Sequence, residues 1–566
     1  MAAPTVEKPK YGGVLKLSHN TDIIEFDDVV GKPHSAITMI LSNENSRAGD
    51  WAKGPAGGYG SNEADWNVAT GRWELLMGYI AESWEIPTEV KGDAASVILH
   101  IRKGIRWALN PDSEASRLVN GRELTADDVA FSIKQNITVP GAYTYASRAD
   151  LRVAKVTAPD KWTVKIEFPW DSFEVGVQRL AGFIFIKPPE VFAKWGDNAM
   201  ADWKKSVGTG PFMLTEVVPG SSATLIRNPN YWGKNPAGPG KGDQLPYLDG
   251  VKLLILPDRS TRYAALRTAK IDWTTDVDAE DFVQLKKGTP QLISRQYNID
   301  PPGKTVSMRV EKKPFDDIRV RRAMMMAIDF EAIKRDFYGG NAQILTWPIG
   351  YFKEYAGAYL GLDDLDMPAS VRELYSYNPD KAKQLLKEAG YPNGFKTWID
   401  MGTGAATFDY FSLYKDMWAK IGVQVEFRPS ETAAQLVLRR ERKYEQMMTG
   451  VGAFPTANLY KMNTYKGGAA SEYNLSMVDD PYIEQMFTKI QRALVTDRAE
   501  ANRLFKEHLK YVLNQAWVIP AVQPPEYTMW WPWLKNYSGE HTLGYNNRIW
   551  PQFVWLDQEL KKSMGY

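Results

Sequence analysis

Asn120-Gly121-Arg122-Glu123-Leu124-Thr125-Ala126-Asp127-Asp128-Val129-Ala130-Phe131-Ser132-Ile133 reads as a turn that opens into a helix. Thr125 is placed to cap the helix, Asp128 three residues later to return a bond to the cap, and Leu124 to staple onto Val129. Before it, Val97-Ile98-Leu99-His100-Ile101-Arg102 alternates apolar and polar residues, and after it Trp162-Thr163-Val164-Lys165-Ile166-Glu167-Phe168 does the same. That period of two marks half-buried strands. The same mixture runs along the chain. Gly13 to Ser18 reads as a first strand followed by the polar loop His19-Asn20-Thr21-Asp22. Asn378-Pro379-Asp380 and Asp480-Pro481 start further helices, the first with an apolar stripe Ala382, Leu385, Leu386, Ala389 that stops at Gly390. Interspersed strands and helices favour a mixed α/β architecture over a helical solenoid or an all-β sandwich.

Composition closes several doors. The 566 residues carry 69 Lys+Arg against 68 Asp+Glu, a formal net charge of +1, so nothing electrostatic favours nucleic acid or an anionic membrane surface. No Cys is present, which removes disulfides, Cys-ligated metals and thiol nucleophiles. His19, His34, His100, His508 and His541 are scattered, and no pair has helical spacing, so neither a metal nor another cofactor is expected. No apolar run approaches the roughly 18 to 20 residues of a membrane helix. The start, Met1-Ala2-Ala3-Pro4, has no apolar signal core; if the protein is exported, its signal segment is absent from this chain.

The motifs of common enzymes fail on inspection. Gly208-Thr209-Gly210 runs into Pro211-Phe212-Met213, and Gly402-Thr403-Gly404 lacks a third glycine in register, so neither cradles a phosphate. There is no Gly-x-Ser-x-Gly elbow and no His-Glu-x-x-His pair. Asp276 to Asp281 lacks the glycine and terminal Glu of a calcium loop and reads as a solvated helix start. No catalytic residue is assigned.

A series of segments, in order, resembles the family 5 extracellular solute-binding proteins of ABC importers, the oligopeptide, dipeptide, nickel and cello-oligosaccharide group. They are Ala81 to Glu85, Ile101 to Trp107, Asn120 to Ile133, Val207-Gly208-Thr209-Gly210-Pro211-Phe212, Arg227-Asn228-Pro229-Asn230-Tyr231-Trp232 and Leu248 to Val251. Lys313 to Ala323 with Ala327-Ile328-Asp329, Tyr377 to Ala382, and Gly390-Tyr391-Pro392 complete the set. The resemblance spans about Tyr11 to Ile519 and implies an α/β, two-lobed periplasmic-binding-protein-like fold (type II) with a third accessory domain. Lobe I would comprise 11–70, 183–295 and 517–566, the accessory domain 71–182, and lobe II 296–516, with crossings near Asp300-Pro301-Pro302 and Trp517. The lobes of the family close around ligand by hinge motion.

Three departures bear on the ligand. Peptide-binding members commonly carry an aspartate for the peptide's ammonium four residues before a proline; in Gly450 to Thr456 that position is Val451. A buried ammonium without a carboxylate is costly. Arg309 stands where the family often has asparagine, and offers either a charge to an anionic ligand or a structural ion pair. The third departure is the 20 Trp, whose flat faces suit sugar rings when they are not filling cores.

Loop position selects Trp66, Trp73, Tyr143, Tyr145, Trp347, Phe454, Tyr473, Asn474 and Asn20 as candidate ligand contacts. Trp530 and Trp531, with Trp533, either line the cleft floor or pack the returning strand. Trp347→Ala is expected to weaken binding without unfolding the protein. The expected function is a non-catalytic, monomeric, periplasmic or extracellular receptor, free or membrane-anchored in its full-length precursor form. It captures an oligosaccharide or peptide-like solute and delivers it to an ABC permease. The alternatives are a receptor for standard oligopeptides and a carbohydrate-active hydrolase.

Overall fold

The computed structural model describes residues 7–29, 36–55, 63–297, 304–450, 462–467 and 473–566. The chain divides into two compact units, Met1–Tyr297 with Glu526–Tyr566, and Asn298–Pro525. The crossing expected near Asp300 to Pro302 lies outside the described residues. The return to the first unit falls at Glu526, later than Trp517, because strand Val518–Pro520 still pairs with Thr305–Met308 in the second unit.

The first unit is built on a seven-stranded sheet in the order Ile293–Tyr297, Glu526–Trp530, Trp273–Val277, Val14–His19, Gly250–Ile255, Ser222–Arg227, Phe212–Val218. Val14–His19 runs parallel to Gly250–Ile255 and, at Leu17, to Trp273–Val277, while the remaining neighbours are antiparallel. A separate antiparallel sheet, Ala81–Glu85, Ala94–Ile101, Thr163–Pro169, Lys155–Asp160, lies within 71–182. The capped helix Ala126–Thr138 packs beside it through Val129, Ile133 and Ile137, which are four residues apart and share one face. Asp128 accepts from the Thr125 backbone N–H at 2.8 Å, as its spacing predicts.

The family-like segments meet at one buried carboxylate. Glu44 accepts from the Thr209 hydroxyl at 2.8 Å, the Tyr231 hydroxyl at 3.0 Å and the Trp232 indole N–H at 2.9 Å. Burial nevertheless pushes its carboxyl up to about 7. The glycines of Gly208-Thr209-Gly210 serve close approach: a Cβ at Gly208 would stand 1.9 Å from the Ser42 carbonyl oxygen.

The second unit holds a five-stranded sheet in the order Gln424–Ser430, Lys396–Gly402, Met447–Gly450, Thr305–Met308, Val518–Pro520. The first three are mutually parallel, and Thr305–Met308 is antiparallel to both its neighbours. Helices Ile318–Met326, Pro379–Glu388, Ala405–Ala419, Pro481–Thr496 and Arg498–Asn514 enclose its core. Their starts follow the sequence: Asn378 accepts from the Lys381 N–H at 3.0 Å and Asp480 from the Tyr482 N–H at 2.9 Å. Asp278 likewise caps Ala279–Gly288 by accepting from the Asp281 N–H.

Candidate functional site

Parallel strands gather their C-terminal ends at one edge of a sheet, where loops carry side chains clear of the ladder. In the first unit that edge brings together His19, Asp276, Tyr297 and, from the start of an antiparallel strand, Glu526. His541 and Arg548 complete the group from the C-terminal segment. Asn20, a predicted contact, follows His19 directly and is exposed.

The geometry is that of a coupled polar cluster. The Tyr297 hydroxyl lies 3.0 Å from Asp276 Oδ1 and 2.9 Å from Glu526 Oε2, and it accepts from the Asp276 backbone N–H at 3.2 Å. One hydroxyl proton serves only one of two carboxylates. Burial, and then the Asp276 charge, push the Glu526 carboxyl up to about 7, so it exchanges its proton close to neutral pH. His541 stacks on Tyr297 with ring centroids 5.4 Å apart. Burial holds its imidazole down to about 4. His19 is likewise held down to about 4 by burial and by Arg548, whose guanidinium lies 3.3 Å from His19 Nδ1. Both imidazoles are therefore neutral near pH 7. The group sets a guanidinium, two carboxyl groups and two neutral rings around the buried Tyr297 phenol.

Backbone strain marks the same place. Asp276 has φ +59° and Arg548 φ +64°, a region that non-glycine residues enter at a cost and that clusters at binding sites. Trp66 has φ +53° as well, and its carbonyl accepts from both the His541 and the Thr542 N–H at 2.8 Å. Trp66 thus fixes the loop that carries His541, but its own ring is 0% exposed.

The other predicted residues divide by burial. Trp530 and Trp531 are 3% and 1% exposed. Trp531 stacks on Trp533 at 4.5 Å and donates its indole N–H to the Leu266 carbonyl, so this cluster packs the returning strand. Trp73 and Tyr143 are half-buried, set against Phe173 and Phe183, and Tyr145 lies under the Arg152 guanidinium at 3.9 Å.

In the second unit Trp347 is 3% exposed in the core, edge-on to Tyr465 at 5.6 Å. Asn474 is buried and structural: its amide donates to the Val478 carbonyl at 2.8 Å and its side-chain oxygen accepts from the Val478 N–H. Tyr473 is half-buried beside Arg439. Phe454 and Val451 lie outside the described residues. Arg309 pairs with Glu311 and donates to the Arg442 and Tyr444 carbonyls, which is the structural ion pair. The sequence reading passed over Asp276, Tyr297, Glu526, His541 and Arg548. Their one legible signal was the polar turn at His19, because the rest are far apart in the chain.

Two compact α/β units, each with its own sheet, and a polar cluster at strand ends define a binding protein in architecture. The model for bacterial extracellular solute-binding proteins, family 5 (middle), matches residues 76–473, and the chain belongs to that family. It is 26% identical over 491 residues to heme-binding protein A of Haemophilus influenzae, covering 82% of each chain. It is 28% identical over 407 residues to the dipeptide-binding protein of Escherichia coli, covering 67% of this chain and 68% of the other. Its fold matches the periplasmic binding protein DppA from Helicobacter pylori, solved with peptide STSA, at TM-score 0.69 and 21% identity over 97% of this chain and 99% of that one. The chain is a substrate-binding protein of an ABC importer and not an enzyme. No helix among the described residues is long and apolar enough to cross a membrane.

Proposed function

We propose that this receptor takes a small peptide-like solute, acts as a periplasmic monomer, and hands its cargo unaltered to a membrane permease. What carries the reading is the strand-edge cluster, where the partly exposed Arg548, Asp276 and Glu526 offer charge and hydrogen bonds of both polarities around the buried Tyr297. A zwitterionic solute uses such a surface better than a neutral sugar does. The oligosaccharide reading leaned on indole platforms, yet Trp66, Trp347, Trp530 and Trp531 are all buried. The dipeptide-binding relative supports the same choice. The separate four-stranded sheet supports assigning 71–182 as an accessory domain.

Binding of about −8 kcal/mol gives a micromolar receptor. The test is mass spectrometry of solute released from purified protein, followed by thermal-shift screening of peptides and oligosaccharides. A ligand at a hundred times its Kd adds about 2.7 kcal/mol. Stabilisation by oligosaccharides and by no peptide would overturn the reading.

A further inference from the structure

Ile293–Tyr297 is the edge strand of the seven-stranded sheet, and Glu526–Trp530 is its one neighbour there. The two run antiparallel, from Ile293 opposite Trp530 to Tyr297 opposite Glu526. That last pair stands where the first unit ends: the chain leaves the unit after Tyr297 and re-enters it at Glu526. The end of an edge ladder opens at little cost unless side chains hold its final pair.

Side chains hold this one. The Tyr297 phenol reaches past Glu526–Trp530 to the next strand, Trp273–Val277, where its hydroxyl lies 3.0 Å from Asp276 Oδ1. Glu526 Oε2 lies 2.9 Å from the same hydroxyl. Asp276 is aimed there by a shift of register between Thr274 and Val277 and by its left-handed backbone, φ +59°. One phenol therefore ties three strands through two carboxyl groups, and the proton count decides how well. With a proton on Glu526, that carboxyl donates to the phenolic oxygen and the phenol donates to Asp276. Without it, two carboxylates compete for one phenolic proton and repel one another.

The neighbours set the range in which this proton moves. Burial, then Asp276 and Asp278, raise the Glu526 carboxyl; Arg259 opposes them but is itself paired with Asp278 and Asp281. Behind the phenol, His541 stacks at 5.4 Å, and burial holds it down to about 4, as it does His19 beside Arg548. Both imidazoles are therefore neutral above about pH 5. An opened strand end returns Glu526 to the ordinary 4.5, against about 7 in place. The closed pair binds the proton more tightly, so opening becomes easier as pH rises from 4.5 to about 7 and is level above that.

We propose that Glu526, Tyr297 and Asp276 form a proton-dependent latch on the paired strands by which the chain leaves and re-enters the first unit, closed in mild acid and released as pH rises to neutrality. The latch is a property of this sheet alone. Its use rests on the solute-receptor reading: the same carboxyls border the surface assigned to the solute, and a solute ammonium group favours their ionised form, so the released state is the one that takes solute.

The test uses the full chain, first without solute. Hydrogen exchange read by mass spectrometry compares wild type with Glu526→Gln at about pH 5, 6 and 7, so that intrinsic exchange rates cancel at each pH. The neutral Gln keeps a donor toward the phenol and stands for the protonated state. The expected result is equal exchange of 293–297 and 526–530 in the two proteins at about pH 5, and exchange about tenfold or more faster in wild type at about pH 7. The central strand Gly250–Ile255 should show no difference. A ratio of wild type to variant that does not change with pH overturns the latch. Tyr297→Phe removes the hydroxyl and should exchange faster than wild type at about pH 5; equal exchange there overturns it too. Calorimetry with the dipeptide Ala-Phe, whose own charges are constant over this range, then tests the link to solute. Affinity that rises from about pH 5 to about pH 7 in wild type, and rises less in Glu526→Gln, upholds the link; equal pH dependence in both proteins defeats it. A dipeptide that binds neither protein defeats the peptide reading instead, and the exchange profile alone then decides the latch.

Discussion

His508 is the one histidine between 298 and 525 and is 0% exposed. Its Nε2 lies 3.1 Å from the Tyr465 hydroxyl, Nδ1 has no hydrogen-bond partner among the described residues, and Tyr465 and Phe505 pack around the ring. Burial holds the imidazole down from 6.5 to about 3. The folded state therefore binds this proton less readily than the unfolded chain, so the neutral ring contributes full stability above pH 6.5, and that contribution is lost progressively as pH falls toward 3. At about pH 4.5 the unfolded chain lies about two units below its midpoint while the folded ring is still neutral, a loss of about 2 to 3 kcal/mol at ~1.36 kcal/mol per unit. Urea denaturation followed by tryptophan fluorescence, on wild type and His508→Gln at about pH 7 and pH 4.5, isolates this one group, because the carboxylates titrate alike in both proteins. The variant should be weaker at pH 7 yet lose about 2 to 3 kcal/mol less on acidification. Identical losses would refute the claim that His508 is held neutral by burial.

Two further outcomes follow from buried groups. Lys187 lies 3.1 Å from Asp27 and also pairs with Asp28, all three with fully buried side chains. Lys187→Met should cost about 3 to 5 kcal/mol by leaving two carboxylates without a cation, and the deficit should shrink as acid protonates them; a denaturation midpoint within error of wild type would contradict this. Trp347→Ala should cost about 3 to 5 kcal/mol through the cavity it opens. A variant of wild-type stability that fails only in solute binding would return Trp347 to the binding surface.

Local chemistry was the legible part of the fold. Thr125-Asp128, Asn378 and Asp480 start helices because their side chains reach N–H groups within three residues, and such reach is written in consecutive letters. The strand-edge cluster was not legible for the opposite reason. Its members come from residues 19, 276, 297, 526, 541 and 548, and only sheet order and two left-handed backbone turns bring them together. Aromatic abundance misled in a physical way: a large ring serves a core as well as a ligand, and the letter W does not say which. Trp66 shows this best. It is fully buried, yet its carbonyl holds the loop that carries His541.

Glu44 joins its own segment to Thr209, Tyr231 and Trp232, residues from two distant stretches of the chain. Partners that share one acceptor do not respond to substitution independently, since removing one donor changes what each remaining donor stabilises. Variation at positions 44, 209, 231 and 232 should therefore be epistatic: any single change is poorly tolerated, whereas a joint replacement of carboxylate and donors by apolar residues of matching volume is tolerated far better than the sum of the single effects predicts.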